Sequence, residues 1–287
     1  MTGMDRIVYV NGAYLPEAEA RVSVFDRGFL FADAVYEVTS VLEGRLVDFP
    51  GHLARLDRSL SALEMPRPAS DAEIEAMHRA LIERNALTDG MIYMQVTRGA
   101  ADRDFAYPAD PRPTLIAFTQ AKPMEDTQAA RDGIRVITVP DIRWGRRDIK
   151  TVQLLAPSMC KMMARKAGKD DAWLVEDGFV TEGTSNNAHI VTRGGAIVTR
   201  DLSHRLLHGI TRAAVLAVAR EAGMVVEERP FTVAEAQGAA EAFVTAASLF
   251  VTAVVEIDET RIGDGTPGPI ARHLRARYLE ESRRRAV

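Results

Sequence analysis

The chain has 287 residues, 47% of them hydrophobic, enough for one large core or two modest ones. Its net charge of −4 and pI near 5.9 give no general pull toward phosphate backbones or anionic lipid, so neither nucleic acid nor a membrane surface is an expected partner. A single cysteine, Cys160, excludes an intrachain disulfide, the N-terminus lacks the basic-then-apolar pattern of a signal peptide, and the longest apolar stretch, Ala242 to Val255, is interrupted by Thr245, Ser248 and Thr252. The cytoplasm is the expected location.

In chain order, Ile7 to Val10 before Asn11-Gly12 predicts a strand entering a hairpin, and Val35 to Leu42 with Leu46 to Phe49 around Glu43-Gly44 predicts a second one. His52 to Leu63 places Leu53, Leu56, Leu60 and Leu63 at helical spacing, and Ser70 with Glu73 forms a capping box that starts a helix running to about Asn85. Met91 to Thr97 and Thr114 to Thr119 read as further strands. These segments compose a small α+β domain over 1–121, followed by a polar linker over 122–132 and a larger domain over 133–287.

The larger domain is strand-rich. Ile134 to Val139, Ala172 to Val175 turning at Asp177-Gly178, Ala188 to Thr192, and Ala196 to Thr199 around Gly194-Gly195 predict a hairpin-built sheet. Met159 to Lys169 suits a helix with one solvated face. Thr211 to Ala222 is a helix stopped by Gly223, Thr232 with Glu235 caps another, Ala242 to Thr245 and Val251 to Ile257 add strands, and Ile270 to Glu281 closes with a helix.

Only five of the 36 basic residues are lysines: Lys122, Lys150, Lys161, Lys166 and Lys169. A chain that otherwise uses arginine for charge can keep a lysine for its amine, which forms imines with aldehydes and ketones. Lys122 precedes Pro123 in a loop, and Lys161, Lys166 and Lys169 suit a solvated helix face. Lys150 instead lies among Ile149, Val152, Leu154 and Leu155, which can bury its stem and withhold water; the bland alternative is an ion pair with Asp148.

Two other stretches carry chemistry. Thr181-Glu182-Gly183-Thr184-Ser185-Asn186-Asn187 packs a carboxylate and five hydroxyl or amide groups around a glycine at a strand end, as a binding loop or as a plain polar turn. Gly209-Ile210-Thr211 opens a helix whose free N–H groups can hold a phosphate or be capped in the ordinary way. Gly263-Asp264-Gly265-Thr266-Pro267-Gly268 matches a dinucleotide pattern formally but has no strand or acid after it, so it reads as a turn. His204 and His208 have zinc-pair spacing without supporting ligands, so no metal is expected. An imine-forming amine, a carboxylate about 30 residues later and a phosphate cradle together match the aldehyde, ring nitrogen and phosphate of pyridoxal 5'-phosphate.

Asp148-Ile149-Lys150-Thr151-Val152-Gln153-Leu154-Leu155, Val180-Thr181-Glu182-Gly183-Thr184-Ser185-Asn186-Asn187 and Leu207-His208-Gly209-Ile210-Thr211-Arg212 resemble the three signature stretches of fold-type IV pyridoxal-phosphate enzymes. Asp26-Arg27-Gly28, Asp33-Ala34-Val35-Tyr36-Glu37-Val38 and Met94-Gln95-Val96-Thr97-Arg98-Gly99 look most like the D-amino-acid aminotransferases among them. The resemblance implies a two-domain α+β fold, with a small N-terminal sandwich-like domain and a larger C-terminal pseudo-barrel, assembled as a homodimer. It implies ping-pong transfer of an amino group between an amino donor, D-alanine for example, and a 2-keto acid. The alternatives within the fold are a branched-chain L-amino-acid or (R)-amine transaminase and an aminodeoxychorismate lyase.

By the same resemblance Lys150 is the Schiff-base lysine and Glu182 pairs with the ring nitrogen. Arg55, Ile210 and Thr211 bind the phosphate, Leu207 packs against the ring, and Ser185, Asn187, Gly209, Ala247 and Ser248 complete the cofactor site. Tyr36, Val38, Arg103 and Phe105 form the substrate site. Two positions depart from the family pattern. Phe105 stands where an Arg-x-His loop motif has histidine, which removes a donor and adds a ring, and Ala246-Ala247 stands where hydroxyls usually lie near the phosphate.

Overall fold

The computed structural model describes residues 6–287 and divides into two compact units. The first comprises residues up to Pro123 together with Ile149–Gln153 and Arg285–Val287; the second comprises Met124–Asp148 and Leu154–Arg284. The second unit therefore begins inside the stretch 122–132 read as a linker, and a short helix lies within that stretch. The first five residues of the domain expected at 1–121 lie outside the described residues.

In the first unit the elements are β1 (Ile7–Val10), β2 (Ala13–Pro16), α1 (Arg27–Phe31), β3 (Ala34–Leu42), β4 (Arg45–Leu46), α2 (Phe49–Ala62), α3 (Asp71–Arg84), β5 (Gly90–Thr97) and β6 (Thr114–Ala121). The strands form one antiparallel sheet in the order β2-β1-β6-β5-β3-β4. Both expected hairpins are present, with Val10 opposite Ala13 and Leu42 opposite Arg45. Phe49 is not in the strand expected to end there: with Pro50 behind it, a residue suited to the first turn of a helix, it opens α2. Leu53, Leu56 and Leu60 then point into the core. The capping box of α3 is complete, because Ser70 Oγ accepts the Glu73 N–H at 3.3 Å while the Glu73 carboxylate accepts the Ser70 N–H at 2.8 Å.

The second unit holds α4 (Gln128–Asp132), β7 (Ile134–Pro140), α5 (Leu155–Lys166), β8 (Asp171–Glu176), β9 (Phe179–Gly183), β10 (Asn187–Val191), β11 (Ile197–Thr199), α6 (Ile210–Glu221), β12 (Val226–Glu228), α7 (Val233–Gln237), β13 (Glu241–Ala246), β14 (Phe250–Ile257), β15 (Thr260–Arg261) and α8 (Pro269–Arg285). Its sheet runs β12-β11-β10-β13-β14-β7-β8-β9, with β15 added beside β14. β9 is last in that order and β10 third, yet only residues 184–186 join them. Three residues reach about 10 Å, so the sheet has to curl back on itself.

Alternation fills both sides of the curled sheet. Val136 and Trp173 join an interior cluster with Val180, Ile190, Phe231, Val244 and Val254, whereas Val139, Ala172 and Leu174 pack with Cys160 and Ala164 of α5 on the opposite face. The fold is α+β. Removing the α3 cap tests the local reading: Ser70→Ala should lower stability by about 1 kcal/mol, seen as a lower urea midpoint at unchanged slope. An unmoved midpoint would mean that the box contributes nothing.

Candidate active site

Lys150 belongs to the five-residue segment that the chain lends to the first unit. The Tyr36 N–H donates to the Lys150 carbonyl at 3.0 Å, the Val152 N–H donates to the Ala34 carbonyl at 3.2 Å, and the Lys150 N–H lies 3.4 Å from Ser59 Oγ of α2. The segment is thus clamped to the start of β3. Lys150 is half-buried, and its Nζ stands 4.1 Å from the centre of the Tyr36 ring, which stacks on Tyr93. The apolar shelter expected from the sequence is only partly there. Ile149 is buried, but Leu154 and Leu155 are exposed because Leu155 opens α5. The ion pair of Lys150 with Asp148 is not found either; the Asp148 carboxylate takes Arg146 at 3.0 Å and His204 at 3.0 Å.

Period-two alternation on β3 puts Tyr36 and Val38 on one face and Glu37 on the other, against α2. There Arg55 Nε and Nη2 donate to the Glu37 carboxylate at 2.8 and 2.6 Å, and His52 Nδ1 lies 2.7 Å from it. All three side chains are at most 5% exposed. Burial pushes the Glu37 carboxyl up, but the Arg55 guanidinium and the His52 bond outweigh it and hold it at about 2.

Arg103 and Phe105 lie on the exposed loop between β5 and β6, with Arg103 over the rings of Phe31 and Phe105. Two arginines that sequence reasoning gave no role anchor that loop. Arg27 donates to the Asp104 and Ala106 carbonyls at 2.6 and 3.2 Å, and Arg98 lies 3.5 Å from the Tyr107 ring centre. Both guanidiniums meet Asp33. They stand in the Asp26-Arg27-Gly28 and Thr97-Arg98-Gly99 stretches, where the resemblance gave a signal but no role.

In the second unit Glu182 is the buried penultimate residue of β9, just before the chain turns toward β10. Its Oε1 accepts Arg143 Nη1 at 2.5 Å and the Leu207 N–H at 3.0 Å, and its Oε2 accepts Asn187 Nδ2 at 2.9 Å. Asn187 also donates to the Leu207 carbonyl at 2.9 Å, so Glu182, Asn187 and Leu207 form one hydrogen-bonded set. Ser185 is exposed in the 184–186 connection and does not enter it. Arg143 and its second partner Asp141 were not anticipated; they lie in an irregular segment with no periodic pattern.

Gly209 precedes α6 and has no side chain to cap it, while Thr211 in the first turn is buried. A Cβ on Gly209 would lie 2.0 Å from Asn187 Oδ1, so only glycine lets the helix start come this close to the amide that supports Glu182. Ala247 and Ser248 form the half-buried turn between β13 and β14. Beside them the Thr245 hydroxyl is buried without a hydrogen-bond partner among the described residues. Ala242 and Val244 of β13 face the interior cluster, so alternation turns Thr245 to the other face, and α6 packs on β13 outside that cluster.

The sequence model of the amino-transferase class IV family matches residues 34–257. The chain belongs to the class IV aminotransferases. A D-alanine aminotransferase of Bacillus licheniformis is 38% identical over 269 residues, covering 93% of this chain and 94% of that protein. Another, of Staphylococcus haemolyticus, is 34% identical over 95% of this chain and 98% of its own. Among solved structures, the branched-chain amino acid aminotransferase of Escherichia coli shares the fold with a TM-score of 0.90 at 21% identity, over 97% of this chain and 95% of that one. The T.th. branched-chain amino acid aminotransferase complexed with N-(5'-phosphopyridoxyl)-L-glutamate gives 0.88 at 28% identity, over 98% and 95%.

Class IV aminotransferases work with pyridoxal phosphate, and the chemistry of the donor set suits it. A carboxylate offers about four acceptor positions; three on Glu182 are taken, leaving one on Oε2. Burial keeps the Glu182 carboxyl above its ordinary range although Arg143 and the Leu207 N–H pull it down, so the group has room for a second cationic partner. The orphaned Thr245 hydroxyl and the uncapped α6 start suit a phosphate.

The Glu37 cluster gives an acid test. Its carboxyl lies near 2 in the folded chain against an ordinary 4.5, so its stabilisation is complete above 4.5 and is lost as pH falls toward 2. Glu37→Gln should flatten the fall in stability over that interval, measured by urea unfolding at stepped pH. An unchanged slope would remove Glu37 as its source.

Proposed function

We propose that this class IV aminotransferase moves the amino group of a small D-amino acid, D-alanine above all, to a 2-keto acid in two alternating half-reactions. The observation that carries this reading is the run of D-alanine aminotransferases at 33–38% identity spanning more than nine-tenths of the chain. Pyridoxal phosphate, when bound, supplies an aldehyde that exchanges amines and a ring that accepts electrons.

The chain's own residues do the rest. Lys150 is the residue we assign to the aldehyde, and its Nζ would carry the proton from Cα of the amino donor to the carbon that bore the aldehyde within the first half-reaction, and in the opposite direction, onto Cα of the product, in the second. The Tyr36 ring against Nζ limits its excursions. Glu182 fixes the ring nitrogen as an ion pair, an electrostatic role with no proton transfer. Arg55, the α6 start at Gly209, Ile210 and Thr211, and the Ala247 and Ser248 turn hold phosphate. Leu207 and Asn187 flank the ring, and Ser185 borders the site. Tyr36, Val38 and Arg103 receive the substrate, with Phe105 in place of a polar donor favouring less polar substrates.

Borohydride reduction of the cofactor-loaded protein should leave a pyridoxyl adduct on Lys150, and Lys150→Ala should lose the visible band and at least about 10³-fold in rate, as expected when a nucleophile is also the base. A band that survives the substitution would sink the assignment. Paired D- and L-alanine and L-leucine with 2-oxoglutarate then set D against the branched-chain L reading, whose support is the structural likeness alone.

We also infer a homodimer in the cytoplasm, in keeping with the single cysteine. Leu155, Met159, Met162 and Met163 are each about half exposed or more on α5, an apolar face out of place on a monomer. Sedimentation should give twice the 31.5 kDa chain mass, and Met159→Asp with Met163→Asp should shift it toward the monomer; a wild-type chain that sediments as a monomer at micromolar concentration contradicts this.

A further inference from the structure

We propose that Arg143 is the positioning residue that keeps Glu182 an anion, and so decides whether the cofactor ring nitrogen is protonated. The inference rests on the reading of Glu182 given above. It starts from charge. Arg143 bridges two buried carboxylates, giving Nη1 to Glu182 at 2.5 Å and Nε and Nη2 to Asp141 at 3.0 and 2.7 Å. Asp141 also accepts Thr181 Oγ1 at 2.7 Å and lies 3.4 Å from Arg147, whose other terminal nitrogen meets Glu176 at 2.9 Å.

The cluster thus holds three carboxylates, Asp141, Glu176 and Glu182, against two guanidiniums, Arg143 and Arg147. Glu182 Oε2 has one acceptor position beyond the Asn187 bond, where a protonated ring nitrogen would add a cation. The two carboxylates share Arg143 unequally. Burial works against the charge on both, but Asp141 has Arg143, Thr181 and Arg147 and lies below its ordinary range, whereas Glu182 stays above its own.

Glu182 is therefore the member that protonates first when the guanidinium is removed. A neutral carboxylic acid there donates to the ring nitrogen instead of pairing with its proton, and the ring becomes a poorer electron acceptor. Arg143 does this through Glu182, to which it donates directly. Because its pair with Asp141 fixes the fork, it also sets the angle at which Glu182 presents Oε2.

The test uses the full-length protein loaded with pyridoxal phosphate labelled with nitrogen-15 at the ring. In the wild type the nitrogen resonance should be that of a protonated ring. Arg143→Gln should move it to the neutral position and speed cofactor release about tenfold, the weight of one charge-assisted hydrogen bond. Arg143→Lys, which keeps the charge, should keep the protonated position.

A wild-type protein that takes up no cofactor overturns the reading of Glu182 and this inference with it. A loaded wild type whose resonance is unchanged in Arg143→Gln overturns this inference alone. Should the glutamine variant fail to fold, the lysine variant decides: a neutral ring there shows that the charge of residue 143 is not what matters, and a protonated one supports the proposal.

Discussion

A carboxylate without water must have its charge answered by its neighbours, and the second unit is organised around that demand at Glu182. The residue is buried because the sheet curls: only residues 184–186 separate its strand, last in the order, from the third. The same turn brings Asn187 round to Oε2, and Asn187 in turn takes up the Leu207 carbonyl and the space that a side chain on residue 209 would need. One hydrogen-bonded amide thus ties the sheet closure to the start of α6. The closure is what makes the site, since a flat sheet would leave Glu182 in solvent at an edge and Gly209 far from it.

Two buried glutamates show how the surroundings set the outcome. Glu37 has a guanidinium donating two hydrogen bonds and a histidine, and burial loses to them. Glu182 shares its guanidinium with Asp141, and there burial wins. The first arrangement fixes β3 to α2. The second divides one guanidinium between two carboxylates and keeps an acceptor position open on Oε2. The carboxylates of Glu37 and Glu182 differ less in burial than in how many cations they share.

Much of the fold was legible where a local rule acts alone. Asn11-Gly12, Glu43-Gly44 and Gly194-Gly195 set hairpins, and Ser70 with Glu73 set a helix start, because turn and cap preferences need no tertiary partner. The short elements α1, β12 and β15 carry too few residues for a period to show. The return of Ile149–Gln153 to the first unit has no compositional mark, since it is created by backbone bonds to Ala34 and Tyr36 far away in sequence. At the site, residue type made Lys150 visible and the resemblance gave it and Glu182 their roles. Arg143, Arg27 and Arg98 were hidden, because in a chain so rich in arginine their type says nothing and only their partners distinguish them.

That richness in arginine follows a physical division of labour. A planar guanidinium can serve two buried carboxylate oxygens at once, or two acceptors on different segments, without risk of losing its proton. Asp33 with Arg27 and Arg98, Glu37 with Arg55, and Asp141 with Arg143 all use it so. Lysine is the wrong tool for those places and the right one for an amine that has to exchange partners. Lys161 sits on a half-exposed helix position and pairs with Asp171. Lys150 has the face of Tyr36, a contact that steadies an ammonium yet forms no competing salt bridge. A carboxylate in that position would hold Nζ as tightly as Asp141 holds Arg143, and an amine so held would be a poor nucleophile.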